Sequence, residues 1–474
     1  MRTPWWQPVL FAALAGGMGW GIRGQYGHET GAMIAGLLVS LTLIYLLCPR
    51  SDWPSLFRAA AWGTLAMGIG GSMTYGQTLG LTHDPNLVGN DAAYWWGLLG
   101  CAVKGGIWIG IGGLFLGMGL GGVRYRPGEM LLFLLALVGM FYMGIALLNE
   151  PFDPAAKELP AIYFSDHWHW EPGKALEPRP EVWGGLLAVL AAGIIYTAVA
   201  RKDALARNMA LWGVLGGAIG FPLGQSVQAW HAWNPEVFTQ GFWVNLEPHI
   251  NWWNMMETTF GAVMGAVLGL GLWMHRRRIR LAPISGEDRV SLPTEMGVLV
   301  VHLPLLISVA FVTFRPVDAL YDWGIVMIIL PVVAVTGGRV WPFLQLLPLT
   351  LLPIAGKTLR DLAYTNDAIA PVPGWVVYLI IPVGIALAVA VYLARKVAQG
   401  ALQRDPVGPL LLLCAWGYFL LNFAIFRFPW PWAEWTARTP NAIIFTICIV
   451  GLTIMVAVGL GRKNVAGQPE APAP

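Results

Sequence analysis

Apolar blocks of roughly 16–25 residues, uncharged or nearly so, recur along the whole chain and are separated by short polar stretches. An α-helix rises about 1.5 Å per residue, so about 20 residues cross the roughly 30 Å hydrocarbon core of a bilayer. Strands of an outer-membrane barrel need only about 10 residues and alternate apolar with polar side chains, which these blocks do not. Only 12% of the residues are charged, against about 25% in soluble domains. The sequence therefore predicts an all-α, polytopic integral membrane bundle.

The apolar blocks can be assigned to about fourteen transmembrane helices. The first block is followed at once by another, so we interpret it as a retained helix rather than a cleaved signal peptide. The first, tenth and eleventh blocks are short and are compatible with tilted, broken or re-entrant segments. The predicted helices cover residues 7–22, 31–48, 58–80, 94–118, 130–148, 182–200, 208–228, 253–274, 296–314, 322–337, 341–356, 374–394, 406–424 and 441–460.

Basic side chains divide unevenly between the two sets of loops that fourteen helices create. The set that includes both termini carries 19 of the 29 Lys and Arg residues and only 8 of the 26 acidic ones. Loops rich in Lys and Arg stay in the cytoplasm. We therefore expect a cytoplasmic N-terminus and C-terminus, in the cytoplasmic (inner) membrane of a bacterium.

Composition divides the chain into two helical lobes. Residues 1–274 form a glycine-rich membrane domain of about eight helices, and 296–460 form a second lobe of about six. Residues 275–295 are a basic cytoplasmic linker, whose arginines favour contact with anionic lipids over nucleic acid because they directly follow a helix. Residues 461–474 are rich in Pro and Ala and are predicted to be disordered.

Glycine in the first lobe recurs at four-residue spacing, as in Gly216/Gly220/Gly224 and Gly261/Gly265/Gly269. Small residues at this spacing let helix backbones approach closely, so the lobe should be a tight bundle. A Gly-Gln pair recurs at 24–25, 76–77 and 224–225, each followed by another glycine-rich helix. This pattern predicts parallel internal repeats of a two-helix unit, an arrangement found in transporters.

Ionisable and amide side chains cluster at the predicted outer ends of the glycine-rich helices. Such residues are expensive at membrane depth and usually face a cavity or one another. We predict one outward-facing cavity in which they bind a solute, although Arg23–Glu29 and Lys104–Glu257 could equally be structural ion pairs. The candidate substrate-binding residues are Arg23, Gln25, His28, Glu29, Gln77, Lys104, Gln225 and Glu257, with Arg427 added from a compact Pro- and Trp-rich segment of the second lobe.

A second polar cluster, Asp166-His167-Trp168-His169-Trp170-Glu171, lies in the longest predicted outer loop. Imidazole and carboxylate groups suit Zn²⁺ and similar ions, but the cluster lacks a distant third ligand, so we predict no metal site. No cofactor motif is present, and the four cysteines fit buried small apolar residues. If the protein is an enzyme, the acid and base groups would be Glu29, Asp166, His167, His169 and Glu171.

Two functions fit these features. The first is a transporter or permease for a small polar, perhaps anionic, solute. The second is a membrane-embedded enzyme that transfers a glycosyl or acyl group on a lipid-linked or cell-envelope substrate at the outer leaflet. A transporter needs a polar path to the cytoplasmic side, whereas such an enzyme needs a lateral opening to lipid. Membrane lipids are the expected partners in either case, nucleic acid is not, and an oligomer is compatible with the sequence.

Overall fold

The computed structural model describes residues 3–49, 52–173, 177–283, 289–311, 324–402, 404–425 and 435–460, and its regular elements there are all helices. In chain order the helices of the first lobe are α1 Trp6–Arg23, α2 Glu29–Leu47, α3 Trp53–Ile69, α4 Gly76–His83, α5 Asp91–Leu120, α6 Pro127–Leu148, α7 His167–Trp170, α8 Trp183–Ala200, α9 Ala204–Trp233, α10 Pro235–Phe238, α11 Trp243–Leu246 and α12 Trp252–Met274. Those of the second lobe are α13 Leu292–Phe311, α14 Gly324–Gly337, α15 Trp341–Thr365, α16 Pro371–Ala398, α17 Val407–Ile425 and α18 Thr439–Ala457.

Ten of these helices are long and apolar enough to cross a bilayer within the described part of the chain: α2, α5, α6, α8, α9, α12, α15, α16, α17 and α18. The chain is therefore a multi-pass membrane protein built as a helical bundle. The other four predicted spans fall on α1, α3, α13 and α14, which are shorter or less apolar.

Six glycine-rich helices form a closed ring in the first lobe. Their order around the ring follows the chain: α1 packs on α2, α2 on α3, α3 on α5, α5 on α9, α9 on α12, and α12 returns to α1. Helices α6 and α8 pack on each other outside the ring, and α8 also contacts α5. We call the interior of this ring, which inward-facing side chains fill, the lumen.

The glycines explain how the ring helices pack so closely. A Cβ added at Gly217 of α9 would overlap the carbonyl oxygen of Gly105 on α5, and one at Gly16 of α1 would overlap that of Gly261 on α12. Backbones in contact leave no room for a side chain, so the four-residue glycine spacing directly encodes these interfaces.

Replacing Gly217 with Ala should destabilise the protein by about 1–3 kcal/mol, because the new methyl group forces two backbones apart. Gly139 on α6 provides the matched control, since a Cβ there meets no atom within 4 Å. The G139A variant should be neutral or slightly more stable, because Ala has a higher helix propensity than Gly. Equilibrium unfolding in mixed detergent micelles would compare the two, and equal stability would contradict the packing of α5 on α9.

The second lobe packs along one side of the ring. Helix α18 contacts α1, α17 contacts α2, and α14 contacts both α3 and α6. Helix α16 lies at the periphery, where only 17% of its most apolar stretch is buried. The two lobes therefore share one continuous core in the described chain, and the face of α16 is left for lipid.

The predicted third helix, residues 58–80, is wrong as a single helix. Helix α3 begins at Trp53, with Pro54 in its first turn, and ends at Ile69. The chain then passes through a 3₁₀ turn at Gly70–Ser72 before the separate short helix α4 begins. Two successive glycines, Gly70 and Gly71, weaken a helix, so α3 ends just before them. Tyr75 lies in the segment that follows the break and faces the lumen. Gln77 therefore lies in the first turn of a short helix and not at the end of a long one.

Two boundaries in the second lobe also differ from the prediction. Helix α15 continues to Thr365 rather than ending at 356. It contains two wider helical turns, one at Gln345–Leu349 that includes Pro348 and one at Asp361–Thr365 at its charged end. Helix α13 begins at Leu292, inside the predicted linker 275–295, where the Ser291 hydroxyl accepts a hydrogen bond from the Thr294 N–H. The tail 461–474 lies outside the described residues. So do the end of the ninth predicted helix and the start of the tenth, at 312–314 and 322–323.

Candidate functional site

An ion pair between Arg23 and Glu257 lies inside the ring, joining the end of α1 to the first turns of α12. The Arg23 Nη2 and Glu257 Oε1 atoms are 3.1 Å apart, and both side chains are almost completely buried. The structure therefore corrects the alternative pairing, since Arg23 pairs with Glu257 and Lys104 pairs with Glu181. The pairing holds because α1 and α12 are ring neighbours packed glycine to glycine.

A hydrogen-bond chain leads from Arg23 to the protein surface. Arg23 Nη2 donates a short hydrogen bond to the Tyr75 hydroxyl, which lies 2.7 Å from His28 Nδ1. Tyr75 is only 4% exposed, whereas the His28 ring is exposed. The chain therefore runs from the lumen to an exposed residue.

Aromatic rings fill the lumen beside Arg23. Trp20 on α1 meets Trp108 on α5 across the ring, with centroids 5.1 Å apart, although these two helices are not ring neighbours. Phe260 on α12 contacts Trp20 at 4.5 Å and stacks on Phe221 of α9 at 4.8 Å. The Arg23 guanidinium lies 5.2 Å from the Trp20 ring and 5.6 Å from the Trp108 ring, within cation–π range. We call Trp20, Trp108, Phe221 and Phe260 the aromatic plug.

Every oxygen of Glu257 has a donor. Trp253 Nε1 donates to Oε1 at 3.2 Å, and Asn254 Nδ2 donates to Oε2 at 2.9 Å. Arg438, just before α18, also interacts electrostatically with this carboxylate, while burial lowers the pKa of its guanidinium. The Arg23 Nε atom, by contrast, is buried and has no hydrogen-bond partner among the described residues. The lumen therefore holds a carboxylate whose two oxygens both accept hydrogen bonds and an arginine whose Nε has no partner among the described residues.

Lys104 does not contact the Arg23–Glu257 pair through a hydrogen bond or ion pair in the described chain, although the sequence predicted one cavity for all three residues. Its ammonium donates to Glu181 Oε1 at 2.5 Å, to Thr78 Oγ1 at 2.7 Å and to the Thr74 carbonyl at 2.7 Å. The Glu181 carboxylate accepts further bonds from the Ser165 hydroxyl and the Phe164 N–H. All three ammonium protons and both carboxylate oxygens are satisfied, so the geometry describes an anchor between α5, α4 and the loop before α8.

The three glutamines of the predicted repeat occupy different environments. Gln225 is fully buried within α9 and donates to Thr82 Oγ1 at 2.5 Å, with eight further residues of helix following it. Gln77 donates to the Glu177 carbonyl at 2.9 Å, and Gln25 is half-buried in the turn after α1. The structure thus brings none of them to Arg23 through a hydrogen bond, and the internal repeat stays a prediction.

The loop cluster at 166–171 divides into separate structural roles. Asp166 Oδ1 accepts the His169 N–H at 2.8 Å and caps α7, while the His169 ring is exposed. His167 is buried, with its Nδ1 2.6 Å from Glu171 Oε2 and its Nε2 2.9 Å from the Gln77 carbonyl oxygen. Each ring nitrogen thus faces an oxygen atom that can accept a hydrogen bond.

Asp84 joins His167 and Glu171, with one potential metal-ligand atom from each within 4.8 Å of the others. A metal would have to displace a hydrogen bond from either nitrogen of His167, since a ligating nitrogen must offer its lone pair. Asp84 is thus the distant third ligand that the sequence did not reveal, and the absence of a metal site at this cluster stays a prediction.

Two further predicted residues are Glu29 and Arg427. Glu29 begins α2 and lines a small cavity between the lobes. Arg427 lies outside the described residues.

Sequence reasoning missed Glu181, Asn254 and Tyr75 as partners of the charged residues. Glu181 stands directly before a predicted helix, as expected for an acidic helix start, and this was the only signal available. Tyr75 follows the Gly70-Gly71 pair that breaks α3, so recognising the break would have placed a polar aromatic side chain at membrane depth.

Comparison of the sequence with protein-family models finds no match, and a search of curated proteins finds no significant relative.

Proposed function

We propose that the protein is a membrane transporter or permease for a small anionic solute, and that the lumen of the six-helix ring is the pathway. The observation that carries the proposal is the Arg23–Glu257 pair buried within a closed ring of helices, next to the aromatic plug. Ionisable groups at membrane depth mark substrate and ion pathways. A closed ring of helices suits a transport pathway better than it suits an enzyme whose active site must open laterally to lipid.

The site favours an anion because Arg23 can exchange one carboxylate for another. Its guanidinium offers five donors in a rigid fork that matches carboxylate and phosphate groups. In the present arrangement Glu257 occupies part of that fork, and Arg23 Nε has no partner among the described residues. A solute carboxylate or phosphate would compete with Glu257 for Arg23, and movement of the plug would then open the lumen.

The proposal extends to topology and location. The ring passes through three consecutive helix pairs, α1–α2, α3–α5 and α9–α12, in chain order, which supports the idea of three parallel two-helix units. We further propose about fourteen transmembrane helices, both termini in the cytoplasm and residence in a bacterial inner membrane, on the strength of the loop charges. An oligomer and contacts with surrounding lipids are compatible with this arrangement.

Replacing Arg23 with Gln should abolish anion uptake into proteoliposomes, with a fall of at least about tenfold, because a charge-assisted bond worth about 1.5–3 kcal/mol is lost. The assay would screen monocarboxylates, dicarboxylates, phosphate and sulfate. An R23K variant should retain partial uptake, since Lys keeps the charge but not the planar fork.

Arg360 provides the matched control for this assay, because it is exposed at the charged end of α15. An R360Q variant removes the same charge away from the lumen and should transport at the wild-type rate. Equal uptake by wild type, R23Q and R360Q for every anion that enters would remove the lumen from the mechanism.

One observation favours the alternative of a membrane enzyme that acts on a lipid-linked substrate. An apolar cleft of about 380 Å³ lies between α15, α16 and α17, with walls that include Tyr378, Ile385, Cys414 and Trp416. Such a cleft has the size and character for an acyl chain. Its lining includes none of the predicted acid or base residues, so we rank this function second. Product formation from a lipid-linked sugar or acyl donor, without any solute uptake, would reverse the ranking.

A further inference from the structure

A small cavity lies between the two lobes, and its lining includes neither Arg23 nor Glu257. Helices α2, α3, α13, α14 and α15 all contribute to its wall. Its volume is about 20 Å³, on a measure by which roughly 10–15 Å³ holds one water molecule. Most of the lining is apolar, with four polar side chains: Glu29, Thr30, His302 and Gln345.

Gln345 shows that this cavity is built for a polar occupant. Its side chain is 2% exposed, and its amide nitrogen donates to Thr350 Oγ1 at 3.3 Å. Its Oε1 atom is buried without a hydrogen-bond partner in the described chain. An unsatisfied buried carbonyl costs about 1–3 kcal/mol, so a water molecule that donates to it would stabilise the structure.

We propose that this cavity is a proton-binding site, in which Glu29 and His302 share one proton through a single water molecule held by Gln345. The inference rests on the proposed transport function and names the coupling ion for it. A protonated Glu29 carboxyl would donate its proton to the water oxygen as the water donates one of its own to the imidazole lone pair. The products are a carboxylate, an imidazolium and an unchanged water, so the step balances. Glu and His side chains form such relays in membrane transporters.

Titratable groups surround the site on several sides, and one of them, Tyr75, interacts electrostatically with Glu29. Lys357 on α15 approaches from the Glu29 side, donating to Thr30 Oγ1 at 3.2 Å and to the Tyr26 carbonyl at 2.6 Å. Glu295, two turns from His302 on α13, accepts the backbone N–H groups that begin α15. The described cavity linings from α3 and α14 are the apolar residues Leu65, Ile328 and Pro331. The proton would therefore sit between a carboxylate near a lysine and an imidazole in apolar surroundings.

A fluorescence titration tests the site without any transport assay. The His302 ring lies 6.1 Å from the Trp341 ring, and an imidazolium at this distance should quench indole emission. The signal of Trp341, taken as the difference between wild type and W341F, should fall as the pH is lowered and His302 takes up a proton. The fall should vanish in H302Q and persist in H169Q, a control at the exposed His169. An unchanged titration in H302Q would overturn the proposal, and E29Q, which should shift the same titration, covers the case in which H302Q does not fold.

Transport assays test the coupling role. A gradient of one pH unit can drive about tenfold accumulation at one proton per solute. H302Q proteoliposomes should lose this accumulation and keep solute exchange at equal pH, whereas H169Q should keep both. Unchanged accumulation in H302Q would overturn the coupling role while leaving the transport function intact. If wild type carries no anion, the transport proposal fails and the fluorescence titration alone decides whether the proton site exists.

Discussion

Replacing Lys104 with Met should destabilise the protein by about 3–5 kcal/mol, because it leaves the buried Glu181 carboxylate without its counter-charge. The side chains of Lys104 and Glu181 are 1% and 0% exposed, so water cannot take over the lost interaction. Equilibrium unfolding in mixed detergent micelles measures the loss. The double variant K104M/E181Q should be more stable than K104M, since no unpaired buried charge remains and the Gln oxygen still accepts hydrogen bonds.

Lys157 is the matched control for this prediction, because it is exposed on the same long loop that carries Glu181. The K157M substitution should change stability by no more than about 0.5 kcal/mol, as is usual at surface positions. A K104M variant as stable as K157M would show that Lys104 is not an anchor. The double-mutant cycle gives the pair's coupling energy separately from the effect of either side chain.

Replacing Glu257 with Gln should have a comparable effect, a loss of about 3–5 kcal/mol, and should make the protein's stability depend on added anions. The substitution leaves Arg23 charged and buried with no carboxylate, so an anion that enters the lumen can take the vacated place. Added at 100 times its dissociation constant, such an anion would restore about 2.7 kcal/mol. Thermal unfolding of E257Q across a series of anions would reveal this recovery and rank the candidate solutes.

The double variant R23Q/E257Q provides the contrast. It contains neither charge, so its thermal stability should not respond to the anions that stabilise E257Q. A stabilisation of both variants by the same anion would place the anion's binding site elsewhere in the protein. No stabilisation of E257Q by any anion would argue against Arg23 as a solute ligand.

The sequence predicted the class of fold and the presence of a tight glycine-rich lobe, because membrane thickness and backbone packing impose simple spacings. Blocks of about 20 apolar residues encode spanning helices, and glycine every fourth residue encodes contacts such as Gly217 with Gly105. The sequence also drew attention to Arg23 and Glu257, since charges in or beside apolar blocks stand out, and the structure buries both side chains. Their burial in the lumen agrees with the expectation that such groups face inward.

The partners of these charges could not be predicted from the sequence. Which of several acidic residues faces Arg23 depends on the order of helices around the ring, and spacing along the chain carries no information on that order. Glu181 lies outside any apolar block. His302 and Gln345 line the same cavity only because α13 and α15 pack together beside α2. Long-range packing therefore determines which charged residues pair, whereas local composition determines where the helices form.

Accessibility of the lumen to a water-soluble thiol reagent tests the transport pathway most directly. On a background in which the four cysteines are replaced, a single cysteine at position 260 would stand in the aromatic plug, and one at 211 on the outer face of α9. Phe260 is fully buried and Leu211 is 52% exposed. If the ring is a pathway, a charged, membrane-impermeant reagent should label position 260 while a transported anion turns over, and should leave the lipid-facing position 211 unlabelled. Position 260 remaining unlabelled under every transport condition would contradict a pathway through the ring.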